Sequence, residues 1–335
     1  MNSLDRCPQV WMYSGQGSQH FAMGIELYEG EPVFRETFDE VSRYAQRWTG
    51  VSIAEVVYRH AGSRFDPFSE TLLTHPALFA MQFAMDRLLR HRGFRPDFLL
   101  GYSLGEFVAL TATGVLHWRD TIAALMHHAK SLDAIQTSGC MMAVLDSSAL
   151  FRELEARFAG IELAAVNAPR HFVVTGPANP VHRAQDWLAS QNVDTVMLPV
   201  SHAFHSAAVD ATDDSLHRLM SGFTLGRIGT PVVSCAAGCI VYDLPNGLPQ
   251  RITRWPIQFQ QALAALEASG PKLYIDLGPS GTLASFVRQN LGPNPASEAL
   301  TIVTPFAQDR RNLEALEARI RPLPAALVAP REYVS

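Results

Sequence analysis

Residues Gly101-Tyr102-Ser103-Leu104-Gly105 follow an apolar run, Phe98-Leu99-Leu100, and precede a helix-compatible segment that starts near Glu106. A serine with glycine two residues to either side, set between a buried strand and a helix, has the pattern of a nucleophile elbow. Only small neighbours permit the strained turn that raises Oγ into a pocket. The helix behind it aims its first backbone N–H groups, and the positive end of its dipole, where a reacting carbonyl would gather negative charge. A tight turn without chemistry would carry the same letters, so the elbow needs a base and an oxyanion site from elsewhere in the chain.

A chain of 335 residues, 47% hydrophobic, is long enough for one large α/β core plus a smaller domain. Its net charge of −5, with acidic and basic residues interleaved, argues against nucleic acid as a partner. No apolar run approaches the ~18 residues that cross a bilayer, and residues 1–5 lack a basic-then-apolar signal layout. A cytoplasmic protein with no membrane partner is expected. Cys7, Cys140, Cys235 and Cys239 form no disulfide framework, and Cys235 and Cys239 have no His or Cys companions at zinc spacing. The expectation is buried free thiols and no metal.

Apolar residues 10–13 read as a strand that enters Ser14-Gly15-Gln16-Gly17-Ser18-Gln19, a glycine-rich loop with no lysine and therefore no P-loop. Residues 72–89 and 122–135 show helical spacing. From 141 to 198 the pattern becomes strand 141–145, helix 150–158, strands 161–166 and 172–175, helix 181–190 and strand 195–198. That β-α-β-β-α-β order is ferredoxin-like. Strand 231–234, helix 258–268 and strand 273–277, which runs into Gly278-Pro279-Ser280-Gly281, resume alternating strand and helix. The expected fold is an α/β-hydrolase-like large domain with a parallel sheet, residues 1–138 and 201–321, carrying an inserted ferredoxin-like small domain, 139–200, and a tail, 322–335.

Of twelve histidines, those in Ser201-His202-Ala203-Phe204-His205-Ser206 lie where the insert returns to the large domain, and such junctions make clefts. Gly15-Gln16-Gly17-Ser18-Gln19 with Met23-Gly24, Thr74-His75-Pro76-Ala77-Leu78-Phe79, the elbow with Glu106, Val166-Asn167-Ala168-Pro169, His202 to Ser206, and Leu277-Gly278-Pro279 together resemble the malonyl-CoA:acyl-carrier-protein transacylase family. The resemblance leans toward the free-standing members of modular polyketide systems. It implies ping-pong acyl transfer through an ester on Ser103, with His205 as base and then acid. It further implies that backbone carbonyls, in place of an aspartate, hold the second ring nitrogen, and that Gln258 lies at one such position. The oxyanion hole would be the N–H groups of Gln16 and Leu104, and His202, Phe204 and Asn167 would border the acyl pocket. His202 remains open as a packing residue or as the base itself.

Departures from the family pattern bear on the substrate. Malonyl-carrying members keep an arginine 25 residues after the serine, where its fork pairs with the free carboxylate; that position here is His128. A neutral imidazole cannot replace it, and Lys130 is turned roughly 200° away on a helix. An unpartnered buried carboxylate costs several kcal/mol, about a thousandfold in specificity. Arg119 is the alternative cation. The usual histidine before the serine is Tyr102, and the usual glutamine before Pro76 is His75. Similar changes occur in acyl hydrolases of trans-acyltransferase polyketide systems, which clear short stalled chains. The expected function is therefore hydrolysis of short acyl thioesters on the phosphopantetheine arm of an acyl carrier protein, with no bound cofactor, by a monomer. Transfer of a malonyl or other acyl group from CoA or a carrier protein to a carrier protein is the alternative, and acyl-CoA is a further donor. Arg170, Arg251 and Arg254 are candidates for gripping an acidic carrier protein, and Asp276 for capping the helix that follows it.

Overall fold

The computed structural model describes residues 7–59, 62–134 and 139–320. The tail, residues 1–5 and the last residue of the helix expected over 122–135 lie outside them.

Strand β1 (Gln9–Tyr13) runs parallel to β2 (Phe98–Gly101), with Val10 opposite Phe98 and Tyr13 opposite Gly101. Side chains alternate across a strand, so β1 feeds two cores. Trp11 and Tyr13 join a cluster with helices Pro32–Thr49, Thr71–His91 and Trp118–Ala134. Val10 and Met12 join another with helices Phe259–Glu267 and Thr282–Leu291. A strand covered on both faces has no polar side to show, which is why these stretches read as nearly continuous apolar runs.

The chain then leaves the sheet. β3 (Gly139–Val144), β4 (Glu162–Ala168), β5 (His171–Pro177) and β6 (Thr195–Met197) form an antiparallel sheet in the order β4-β5-β3-β6, crossed by helices Phe151–Arg157 and Ala178–Ser190. That is the ferredoxin-like arrangement. On return, β7 (Val232–Ser234), β8 (Cys239–Val241), β9 (Leu273–Asp276) and β10 (Glu298–Thr301) complete a sheet in the order β10-β9-β1-β2-β7-β8. Five strands are parallel, while β8 turns back antiparallel on β7 at the edge, through Gly238 at φ 67°. Cys239 is exposed on this edge strand and Cys7 just before β1, so only Cys140 and Cys235 of the four free thiols are buried.

Two glycines of the elbow are required by close approach. A β-carbon on Gly105 would lie 2.0 Å from the Tyr13 carbonyl oxygen, and one on Gly101 would lie 2.3 Å from Glu106 Cα. Between them Ser103 takes φ 54°, ψ −123°, a conformation rarely adopted by a residue with a side chain. Past β9, buried Asp276 accepts hydrogen bonds from Gly278 N and Ala284 N, both at 2.9 Å, and so ties the turn to the first turn of its helix.

Replacing Gly105 with alanine drives a methyl group into rigid backbone. We expect Gly105→Ala to lose more than about 3 kcal/mol, or to fail to fold, while Gly222→Ala, whose nearest contact is an ordinary 3.5 Å, changes by under about 1 kcal/mol. Urea denaturation of the two variants checks this, and equal stabilities would contradict it.

Candidate active site

Ser103 Oγ lies 2.8 Å from His205 Nε2, and His205 Nδ1 lies 2.9 Å from the Trp255 carbonyl oxygen. A carbonyl only accepts, so Nδ1 carries the ring proton and the bare Nε2 accepts the serine O–H. The histidine is buried and held at φ 58° just after the insert. Burial pushes its pKa down to about 4, with Arg254 lowering it further against the raising effect of the Trp255 bond. At neutral pH the ring is therefore a proton acceptor.

The carbonyl that orients it is itself clamped. Ile257 N donates to Ala164 O of β4 at 2.8 Å, Val166 N donates to Ile257 O at 2.9 Å, and Gln258 N donates to Cys235 O beyond β7 at 2.8 Å. The segment 255–258 thus bridges both sheets. The expectation for Gln258 is corrected here: its side-chain amide donates to Ala236 O at 3.2 Å, and the carbonyl on the histidine is that of Trp255, three residues earlier. A main-chain carbonyl leaves no trace in side-chain identity, so sequence could not choose between the two.

The glycine-rich loop packs against the elbow. A β-carbon on Gly15 would meet Ser103 Cβ at 2.9 Å. Ser18 Oγ donates to Gly15 O at 2.8 Å, and Ser14 N donates at 2.6 Å to Oε1 of Gln82, a buried residue of helix Thr71–His91 whose partner lies too far along the chain to be read from sequence. Gln16 Nε2 donates to Thr74 Oγ1 at 3.1 Å, and Gln16 Oε1 accepts from His75 Nε2 at 3.1 Å. Among the described residues the backbone N–H groups of Gln16 and Leu104 have no hydrogen-bond partner. They are free to receive an oxyanion, and the helix dipole behind Leu104 favours that charge.

The cleft around Ser103 has a volume of about 610 Å³, counted with its open mouth. His75, His128 and Phe204 lie side by side in its lining together with Leu125, and Met141 and Val173 of the small sheet line it with Leu198, Val200 and Ile257. No Arg, Lys, Asp or Glu lines it among the described residues. His75 and His128 stack at 6.1 Å between ring centres, both buried. Desolvation lowers His75 to about 4, and desolvation with neighbouring His75 lowers His128 to about 3. Both are neutral. Lys130 is exposed, and Arg119 stacks on Trp118 and pairs with Glu40 at 3.4 Å, so neither supplies a charge there.

Three residues expected at the pocket stand outside its lining. His202 turns to Asp133, at 3.3 Å, and meets only the edge of Phe204, so it is no alternative base. Asn167 is one layer back: its Oδ1 accepts from Tyr102 OH at 3.0 Å and its carbonyl accepts from Asn290 Nδ2 at 2.7 Å. It braces the cleft wall that Tyr102 forms. Gln258 is the third. Glu106, unassigned from sequence, is buried under the elbow helix, accepting from Ser234 Oγ at 2.5 Å and Ala236 N at 2.7 Å; burial raises it to about 8.

A strained serine, a neutral histidine in hydrogen-bond contact and two free amides, set beneath a sheet with a ferredoxin-like insert, make up a site able to form and resolve an acyl ester. The chain belongs to the acyl transferase domain family, whose model matches residues 10–323. It is 35% identical over 311 residues to the polyketide biosynthesis acyltransferase homolog PksD of Bacillus subtilis, covering 92% of this chain and 96% of that one. It is 37% identical to part of the polyketide biosynthesis protein ThaF of Burkholderia thailandensis, over 95% of this chain but 28% of that one. Among solved structures, the malonyl-CoA:acyl carrier protein transacylase of Xanthomonas oryzae superposes with TM-score 0.80 at 29% identity, covering 93% of this chain and 98% of that one. The acyltransferase domain of the second module of the salinomycin polyketide synthase superposes with TM-score 0.82 at 30% identity, covering 93% and 72%.

Only the neutral ring of His205 can accept the serine proton, and its pKa lies below the ordinary value of 6.5. Labelling of Ser103 by a serine-directed phosphonate should therefore hold its rate from pH 8 to about 5 and fall as pH drops through about 4. An acid limb at 6.5 in the labelling profile would contradict the burial of the base.

Proposed function

We propose that this acyltransferase-family chain hydrolyses short acyl thioesters carried on the phosphopantetheine arm of an acyl carrier protein, clearing stalled chains in polyketide assembly. The observation that carries the reading is the uncharged acyl end of the cleft, where His128 occupies the position at which malonyl-carrying relatives would hold a guanidinium. A carboxylate there would lose its hydration with nothing to offset it, whereas an acetyl or similar chain buries only apolar surface.

Ser103 Oγ attacks the thioester carbonyl as His205 Nε2 takes its proton, and the resulting oxyanion is received by the amides of Gln16 and Leu104. The C–S bond then breaks, with the histidine returning the proton to the departing thiolate. Water adds to the ester by the same route, giving up a proton to His205, and free acid leaves as Ser103 recovers its hydrogen. In the transferase alternative a second carrier thiol takes the place of water, and that acceptor would be served by the same residues.

Acetyl-carrier protein incubated with the enzyme, alone and with a second unloaded carrier protein, separates the two by mass spectrometry. Release of acetate without gain from the second carrier is expected; acylation of that carrier would overturn hydrolysis. Ser103→Ala should lose at least about a thousandfold in turnover. His128→Arg should raise malonyl loading by about tenfold or more, against His128→Gln as a neutral control. Equal malonyl loading in folded samples of both variants would remove the electrostatic account.

A further inference from the structure

Beside the stretch of helix that lines the cleft stand two side chains, those of Arg251 and Trp255, that the chemistry at Ser103 does not use. Helix Leu248–Arg254 puts Ile252 and Thr253 into the cleft wall, and Arg251 stands next to them in the chain. Its guanidinium carbon lies 4.6 Å from the ring centre of Trp255, which is 47% exposed although its carbonyl holds His205. The other two arginines considered from sequence are engaged: Arg170 faces Asp146 at 3.6 Å, and Arg254 pairs with Asp210 and with Glu162 at 3.5 Å. Among the described residues Arg251 has no carboxylate partner. Stacking on an indole orders the planar fork, so less entropy is lost when it closes on a tetrahedral oxyanion.

We propose that Arg251, ordered by Trp255, is the subsite for the phosphate ester of the pantetheine arm, gripping the arm at the mouth while its thioester reaches Ser103. This rests on the thioester reading above. It assigns Arg251 to the phosphate itself and leaves the carrier protein's acidic side chains to other contacts. A charge-assisted fork on phosphate corresponds to about tenfold to a hundredfold in binding.

The test compares the wild type with Arg251→Ala and Arg251→Lys on acetyl-pantetheine, acetyl-4′-phosphopantetheine, acetyl-CoA and acetyl-carrier protein. Arg251→Ala should raise KM about tenfold or more for the three phosphorylated donors, leave kcat unchanged, and leave acetyl-pantetheine within about twofold; Arg251→Lys should recover part of the loss. A fall in kcat shared by acetyl-pantetheine would mean that Arg251 merely supports Trp255 and the base, and would overturn the proposal. So would unchanged KM values, a loss confined to the carrier protein, or one confined to CoA. If the wild type turns over none of these donors, the thioester reading fails by itself. Calorimetric binding of free 4′-phosphopantetheine to wild type and Arg251→Ala then still decides the subsite, equal affinities counting against it.

Discussion

The α-carbon of Gly105 faces the carbonyl of Tyr13, and that of Gly101 faces the first turn of the elbow helix, at distances no β-carbon would allow. This contact between helix and sheet brings the start of helix Leu104–Ala112 down onto the ends of β1 and β2. With the helix so low, the chain between strand and helix has room for two residues only, and Ser103 is forced to positive φ with its hydroxyl standing clear. The two unpartnered amides, of Gln16 and Leu104, are consequences of the same approach, because the end of β1 leads directly into the loop that carries Gln16.

Burial acts on the ionisable groups in a single direction, toward neutrality, with unlike results. His75 and His205 drop to about 4 and His128 to about 3, so each folded ring binds fewer protons than its unfolded counterpart below 6.5, and stability from them falls as pH falls through that window. Glu106 rises from 4.5 to about 8, so the folded state holds the extra proton and stability from it falls as pH rises between those values. At neutral pH the cleft is left with uncharged His75, His128 and His205 rings and no charged side chain in its lining among the described residues. Desolvation is the largest cause in each case.

Much of this was legible in the residues because it depends on local chemistry. The glycine spacing around Ser103 fixes a turn type, the apolar runs fix buried strands, and the β-α-β-β-α-β rhythm fixes the small sheet. Asp276 capped its helix as its position before a Gly-Pro turn implied. What escaped depends on contacts distant in sequence. Trp255 acts through a carbonyl that any residue possesses, Gln82 and Glu106 reach partners far along the chain, and β8 is three residues long. His202 and Asn167 lie beside the correct neighbours in sequence, but His202 is drawn off to Asp133 and Asn167 is screened from the cleft by the ring of Tyr102.

A β-carbon added to Gly139 would strike Ala203, so the points where the small domain leaves and rejoins the large one touch. A unit whose two ends meet is spliced into its host like a side loop, and closing the host chain around it demands little entropy. Yet that unit supplies Met141 and Val173 to one wall of the cleft. It also supplies Ala164 and Val166, whose backbone groups hold the segment behind the Trp255 carbonyl, so the wall of the crevice and the bearing of the His205 ring are set by one and the same inserted sheet.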